Sequence, residues 1–188
     1  QKLFKLANDY KKKYSLKLGV LTFEPMPKMY FNKNIKNFRI SNQKQKIKLL
    51  NKLNVDFVIT KKFNKGFSKT LSTEFIENIL KKRLKAKFIF VSNNFRFGNK
   101  RKGNVKQLIK YEKKCHYKII KPKPLLIKKK IVSSSLIRKY LQKGKLDEVN
   151  KLLSRKWSIE GKVQKGKQLG KKIGFPTANI DIKDYVLA

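Results

Sequence analysis

The chain has one cysteine, Cys115, and one histidine, His116, in 188 residues. A lone cysteine excludes an intrachain disulfide and fits a reducing compartment. A lone histidine leaves no Cys/His set for a metal, and both residues sit near the end of an expected helix, where they read as structural. Long apolar runs are also missing. Nothing approaches the ~18 consecutive apolar residues of a membrane span, so no membrane partner is expected. The opening Gln1-Lys2-Leu3-Phe4 has neither an initiator Met nor an apolar signal region. Secretion is therefore unsupported, and the expected location is the cytoplasm.

Negative charge is scarce as well: 11 Asp and Glu stand against 50 Lys and Arg, a formal charge of +39. A balance this basic suits a nucleic-acid partner. The excess, however, is almost all lysine, spread through every segment. Only Arg39, Arg83, Arg96, Arg101, Arg138 and Arg155 carry the guanidinium that reads phosphate or guanine in bidentate fashion. Abundant Lys, Asn, Ile and Phe together match an A/T-biased coding sequence better than a binding stripe. A basic RNA-binding protein stays open as an alternative, and salt should weaken such contacts quickly.

With 40% hydrophobic residues the chain can bury a real core. Gln1–Lys13 places Leu3, Phe4, Leu6, Ala7 and Tyr10 on one helical side. Leu16–Phe23, Val55–Thr60 and Ala86–Val91 are short apolar runs of strand type, with Tyr117–Lys121 and Pro124–Val132 as further strand candidates. Met29-Tyr30-Phe31 reads as loop. Ser41, Ser72 or Thr73, and Asn104 are expected helix caps, the last ahead of a face bearing Val105, Leu108 and Ile109. Ser133–Ser135 opens a helix over Leu136–Gln142 that Gly144 ends, and Lys145–Leu153 makes another. Strands alternating with capped helices predict a parallel α/β sheet, with ligands at the carboxyl ends of its strands. After Leu153 the period changes, and Trp157–Gln164 alternates like a strand. The expected division is 1–153 and 154–188.

Three stretches carry possible chemistry. Ser133 and Ser134 with free N–H groups, and Arg138 one turn later, form either an anion pocket or a simple cap with a solvated arginine. Asn94, Phe95, Arg96 and Phe97 follow a strand directly, where an aromatic ring either stacks on a flat ligand or covers the sheet end. Gly161, Gly166, Gly170 and Gly174, interspersed with Lys165, Lys167, Lys171 and Lys172, lead to Thr177 and Asn179. That run is either a phosphate-approaching loop with two neutral oxygen ligands for Mg²⁺, or a lysine-rich hairpin.

Gly170–Asn179, GKKIGFPTAN, resembles the GKxxGFPTAN motif of riboflavin kinases. Ser133–Arg138 (SSSLIR) resembles an SSTxIR motif, Ser92–Gly98 (SNNFRFG) a GxDFRFG or GxNFxFG motif, and Thr22–Pro27 (TFEPMP) a TFEPHP motif. All four, in this order and over nearly the whole chain, are similar to the bacterial bifunctional riboflavin kinase/FAD synthetases. The resemblance implies a Rossmann-like nucleotidyltransferase domain over 1–153, followed by the first part of a small antiparallel β-barrel, the riboflavin kinase domain, over 154–188. It implies ATP-dependent phosphorylation of riboflavin to FMN and adenylylation of FMN to FAD. The small-molecule partners would be riboflavin, FMN and ATP, with Mg²⁺ and no specific nucleic acid.

By the same resemblance, Ser133, Ser134, Arg138, Gly166, Gly170, Gly174 and Thr177 bind ATP. Phe23, Pro25, Asn94 and Phe95 bind flavin, and Thr177 and Asn179 hold the metal. The chain departs from the family at Met26, where a histidine is usual, and at Ser92, where a glycine is usual. The family's GxFDGxHxGH stretch and its kinase general-base glutamate are not among these residues, so no catalytic residue is assigned, and an internal segment of a longer enzyme is expected. A different adenylyl-transferring nucleotidyltransferase is the alternative within the same superfamily.

Overall fold

The structure, a computed structural model, describes residues 2–35, 38–127, 129–164, 174–175, 177–183 and 185–187. The chain forms two compact units, each drawn from separate stretches: Gln1–Phe31 with Leu53–Leu125, and Asn32–Lys52 with Leu126–Ala188.

In chain order the helices are α1 (Lys2–Lys13), α2 (Pro27–Phe31), α3 (Gln43–Asn51), α4 (Lys65–Ser68), α5 (Ser72–Glu74), α6 (Val105–Lys110), α7 (Glu112–Cys115), α8 (Ser134–Gln142) and α9 (Leu146–Leu153). The strands are β1 (Gly19–Glu24), β2 (Phe57–Lys62), β3 (Phe88–Phe90), β4 (Arg96–Phe97), β5 (Gly103–Asn104), β6 (Lys118–Ile120), β7 (Leu126–Ile127), β8 (Lys130–Ile131), β9 (Val163–Gln164) and β10 (Asn179–Ile180).

The first unit is α/β with parallel pairing, as the alternation of apolar runs predicts. β1 runs parallel to β2 over six positions, from Gly19 opposite Phe57 to Glu24 opposite Lys62. β3 runs parallel to β6, Phe88 to Phe90 opposite Lys118 to Ile120. Among the described residues these are two separate two-stranded pairs and not one continuous sheet. α1 packs on β3: Tyr10 meets Phe88 and Phe90 edge-on at 4.9 and 5.5 Å. Asn8 Nδ2, also on α1, donates to the Leu53 carbonyl at 3.0 Å. Three lysines in the last turn of α1 complement the negative end of its dipole.

The core of this unit is Phe75, Ile76, Leu80, Phe97, Leu108, Cys115 and Tyr117, with Ile76 and Leu108 fully buried. Each such aliphatic side chain contributes about 1.5–3 kcal/mol on leaving water. Buried Cys115 is a core residue, and His116 adopts φ +55° as the C-cap of α7.

Several local expectations shift. Met29–Phe31 falls in helix α2 instead of a loop, since the Met26 carbonyl accepts from both Met29 N and Tyr30 N. Ser72 does not cap its helix. Glu74 reaches back to the Leu71 N–H at 2.9 Å, and α5 continues into a π-helix over Phe75–Arg83. Asn104 caps α6 as expected, taking the Gln107 N–H at 3.0 Å. Ile109, on the face assigned to the core, is 40% exposed, because a six-residue helix buries only its Val105–Leu108 edge.

The second unit is built on Ile137, Leu141, Val149, Leu152 and Val186, where α8 and α9 bury their facing stripes. α3 starts at Asn42, not Ser41: Asn42 Oδ1 takes the Gln45 N–H and Gln45 Oε1 takes the Asn42 N–H, a reciprocal capping box. Gly144 ends α8 at φ +64°. The Trp157–Gln164 strand shrinks to Val163–Gln164, which pairs antiparallel with β10. Residues 157–160 instead dock through polar contacts. Trp157 Nε1 donates to the Ile40 carbonyl, Gln45 Nε2 to the Ser158 carbonyl and Asn42 Nδ2 to the Glu160 carbonyl, at 2.8, 3.0 and 2.9 Å. The buried Tyr185 hydroxyl donates to Gln45 Oε1 at 2.7 Å and accepts from Glu160 N at 3.2 Å. β9 and β10 are the two strands described after residue 154.

Candidate functional site

In the first unit, motif residues gather beyond the carboxyl end of β1. Phe23 closes that strand, half-buried, with its ring 5.5 Å from Phe67 and 6.1 Å from Phe63. Phe63, immediately after β2, also meets Tyr30 and Phe31 of α2 at 5.2 and 5.7 Å. The five rings form one aromatic cluster, from which Phe31 emerges 69% exposed. Sequence reading singled out Phe23 and missed the rest. Phe63 and Phe67 carry no motif, and their only signal is their place just after an apolar strand. Pro25 follows a cis peptide bond with Glu24 at the start of the same turn.

Beyond β3, Asn94 is exposed and Phe95 half-buried, its ring stacked on that of Phe97 at 5.6 Å and 18°. Ser92 Oγ donates to Asn94 Oδ1 at 2.8 Å, so the residue that replaces the usual glycine engages the neighbouring carboxamide. Phe23 and Phe95 line the same apolar cavity of about 550 Å³, together with residues of α1, β1 and β3. Pro25 and Asn94 do not line it. Gly98 turns the chain at φ +72° beside Ser72, where a Cβ would lie 2.8 Å from backbone atoms.

In the second unit, Ser133 sits at the N-cap of α8, with Oγ accepting from Leu136 N at 3.2 Å. Ser134 is the first helical residue and is exposed. Its neighbour on the same helical face, four residues on, is Arg138. Arg138 is half-buried. Its Nε donates to the Phe38 carbonyl at 2.8 Å, and its guanidinium lies 3.7 Å from the centre of the Phe38 ring. Burial pulls its pKa below the ordinary arginine value. Among the described residues Arg138 pairs with no carboxylate. Helix N–H groups, an exposed hydroxyl and a guanidinium on one face are groups whose chemistry suits a polyanion. Phe38 was not legible as a site residue, since only the fold brings it to Arg138 from 100 positions away.

Gly174 has φ +82° with open space where a Cβ would stand. Thr177 and Asn179 are both exposed and two residues apart, Asn179 in β10. A hydroxyl and a carboxamide are hard neutral oxygen donors, a set that fits Mg²⁺ beside phosphate. Gly166 and Gly170, with Lys165, Lys167, Lys171 and Lys172, lie outside the described residues. Among the described residues no cluster of His, Cys, Asp and Glu is grouped to hold a metal, and no helix is long and apolar enough to cross a membrane.

Known proteins resemble the chain along its whole length. The riboflavin kinase model matches residues 153–188. The bifunctional riboflavin kinase/FMN adenylyltransferase of Buchnera aphidicola subsp. Schizaphis graminum is 39% identical over 184 residues, covering 96% of this chain and 59% of that protein. Its counterpart from the Buchnera of Acyrthosiphon pisum is 38% identical over 188 residues, covering 100% and 60%. The Escherichia coli K12 protein of the same name is 31% identical over 93% of this chain and 56% of its own. The chain spans about three fifths of the length of these relatives. A crystal structure described as a macrolide-efflux protein from Streptococcus pneumoniae shares the fold at a TM-score of 0.79 and 25% identity, over 99% of this chain and 60% of that one. The FAD synthetase model matches residues 1–136, well over half of the sequence, and the chain belongs to the FAD synthetase family.

Proposed function

We propose that this chain serves flavin cofactor synthesis, binding ATP and flavin for adenylylation of FMN to FAD and, with its last residues, for phosphorylation of riboflavin to FMN. The observation that carries the reading is the α8 terminus: capping Ser133, exposed Ser134, and Arg138 anchored on Phe38 yet unpaired with any described carboxylate. The relatives named as bifunctional riboflavin kinase/FMN adenylyltransferases support the same reaction class.

In the adenylyl transfer, an FMN phosphate oxygen forms a bond to the α-phosphorus of ATP while the α–β bridge breaks and pyrophosphate leaves. Ser133, Ser134 and Arg138 hold the triphosphate and meet the charge that gathers on the leaving pyrophosphate. Phe23, Pro25, Asn94 and Phe95 take the flavin. The aromatic cluster around Phe23 offers ring faces, and the Asn94 amide group, steadied by Ser92, offers a donor. Residues 1–153 act as the adenylyltransferase module, and 154–188 begin the kinase module as the start of a small β-barrel. There Gly166, Gly170, Gly174 and Thr177 take a second ATP, whose γ-phosphoryl group passes to the ribityl hydroxyl of riboflavin as ADP leaves. Mg²⁺, held by Thr177 and Asn179, would neutralise phosphate charge in that module.

The test titrates MgATP and FMN into the chain at about 0.15 M salt, where dispersed lysine contacts are screened. Both ligands are expected to bind, and Arg138→Ala should weaken MgATP at least about tenfold, the loss of a charge-assisted contact. Absent MgATP binding, or equal binding by Arg138→Ala, overturns the reading. Salt-resistant RNA binding would favour a nucleic-acid function.

A further inference from the structure

In the proposed phosphate site at α8 the charged group is Arg138, and an arginine side chain is ordinarily mobile. A free arginine gives up rotamer freedom when it binds phosphate, and one already held gives up less. Here the side chain is already held at two points by a single residue. Phe38 supplies its carbonyl to Nε at 2.8 Å and its ring face to the guanidinium at 3.7 Å.

The backbone around Phe38 is itself fixed. Arg39 forms a parallel bridge with Tyr185 and its carbonyl accepts from Val186 N at 2.9 Å. The Ile40 carbonyl takes the Trp157 indole N–H at 2.8 Å, and Ser41 Oγ takes an Arg155 N–H at 3.1 Å. Phe38 thus precedes a backbone run tied at three successive residues, 39 to 41. Because Nε is spent on the Phe38 carbonyl, the terminal Nη pair, the fork that grips phosphate in bidentate fashion, is the end left for a ligand. Ser134, on the same face of α8, stands where that ligand would meet the helix N-terminus.

We propose that Phe38 is a positioning residue for triphosphate binding, fixing the plane and direction of the Arg138 guanidinium before the nucleotide arrives. This rests on the reading of α8 as a phosphate site. It assigns a role to a residue that lies in none of the four sequence motifs.

The carbonyl contact survives any substitution at position 38, so side-chain variants isolate the ring. Phe38→Leu is expected to weaken MgATP about 3- to 10-fold, the range of a partly desolvated cation–π contact. Phe38→Tyr should restore affinity to within about twofold, because its ring stacks equally well. Adenosine, which has no phosphate for Arg138 to grip, should bind Phe38→Leu and the parent chain alike. In an Arg138→Ala background, Phe38→Leu should add no further loss.

If Arg138→Ala binds MgATP as the parent does, the phosphate-site reading fails and the proposal with it. If Arg138→Ala weakens MgATP but Phe38→Leu does not, or if the two losses add, the site stands and the positioning role is overturned. Loss of adenosine binding in step with MgATP would also overturn it, by revealing a general structural effect. Should Phe38→Leu fail to melt cooperatively, Phe38→Met replaces it in the same comparisons.

Discussion

Substitution of Ser133 separates helix capping from phosphate binding, because the two roles respond oppositely to charge. Ser133 Oγ accepts from Leu136 N at 3.2 Å, a long cap bond. Losing a Ser cap costs about 0.5–2 kcal/mol, and the long bond places Ser133→Ala near 1 kcal/mol. For a chain of this length that lowers Tm by about 2–4 °C. Ser133→Asp keeps an acceptor at the cap and adds negative charge at the positive end of α8, worth about 0.3–1 kcal/mol, so Tm should return to the parent value or above.

MgATP ranks the same variants differently. Alanine removes one hydroxyl and should cost a few-fold at most. Aspartate places a carboxylate against the triphosphate; two like charges about 4 Å apart repel by ~1 kcal/mol in water and ~4 kcal/mol nearer a protein surface. Ser133→Asp should therefore bind MgATP at least about fivefold more weakly. Thermal melting without nucleotide, paired with calorimetric titration of MgATP, reads both effects. Undiminished MgATP affinity in Ser133→Asp refutes the phosphate site, and an aspartate variant as unstable as the alanine one refutes the cap.

Gly98→Ala should cost about 1–3 kcal/mol, since φ +72° and a Cβ 2.8 Å from the Ser72 backbone both oppose it; a melting curve that matches the parent contradicts this. Tyr185→Phe removes the acceptor for Glu160 N and the donor to Gln45 inside a buried cluster, with an expected loss of about 1–3 kcal/mol by urea unfolding. The Lys11 ammonium, hydrogen-bonded to Asp56, and the Leu18 N–H hold that carboxyl below its ordinary 3.8. A depressed folded pKa stabilises above the unfolded value and is lost as pH falls through the folded one. Asp56→Asn should thus flatten the decline of Tm below about pH 4, and an unchanged decline counts against the pairing.

Much of the fold is written locally. The runs at β1, β2, β3 and β6 are short and rich in β-branched and aromatic residues, so strand form is legible locally even though their side chains are half-buried or exposed. Asn104 and Ser133 cap where their side chains reach a free N–H, and Gly144 stops α8 because it tolerates positive φ. Where competing partners are close in sequence, prediction slipped by a residue or a turn. Asn42 displaced Ser41 through its exchange with Gln45, and Glu74 displaced Ser72 by reaching back to Leu71. The Trp157–Gln164 run alternates like a strand, but its ladder bonds are replaced by side chains of α3 that local pattern does not reveal.

The sequence by itself determined the class of protein: four motifs in order, with capped helices between apolar strands. It also offered hydroxyl, guanidinium and aromatic candidates at element ends, for which the resemblance implies phosphate and flavin roles. Only tertiary structure decided what each one touches. Phe38 reached Arg138, Tyr185 reached Gln45, and Phe63 and Phe67 closed around Phe23 because long-range packing joins segments that no periodicity connects. Hydrophobic burial is non-directional and favours many partners, so which distant side chains meet is set by the whole core and not by any one stretch.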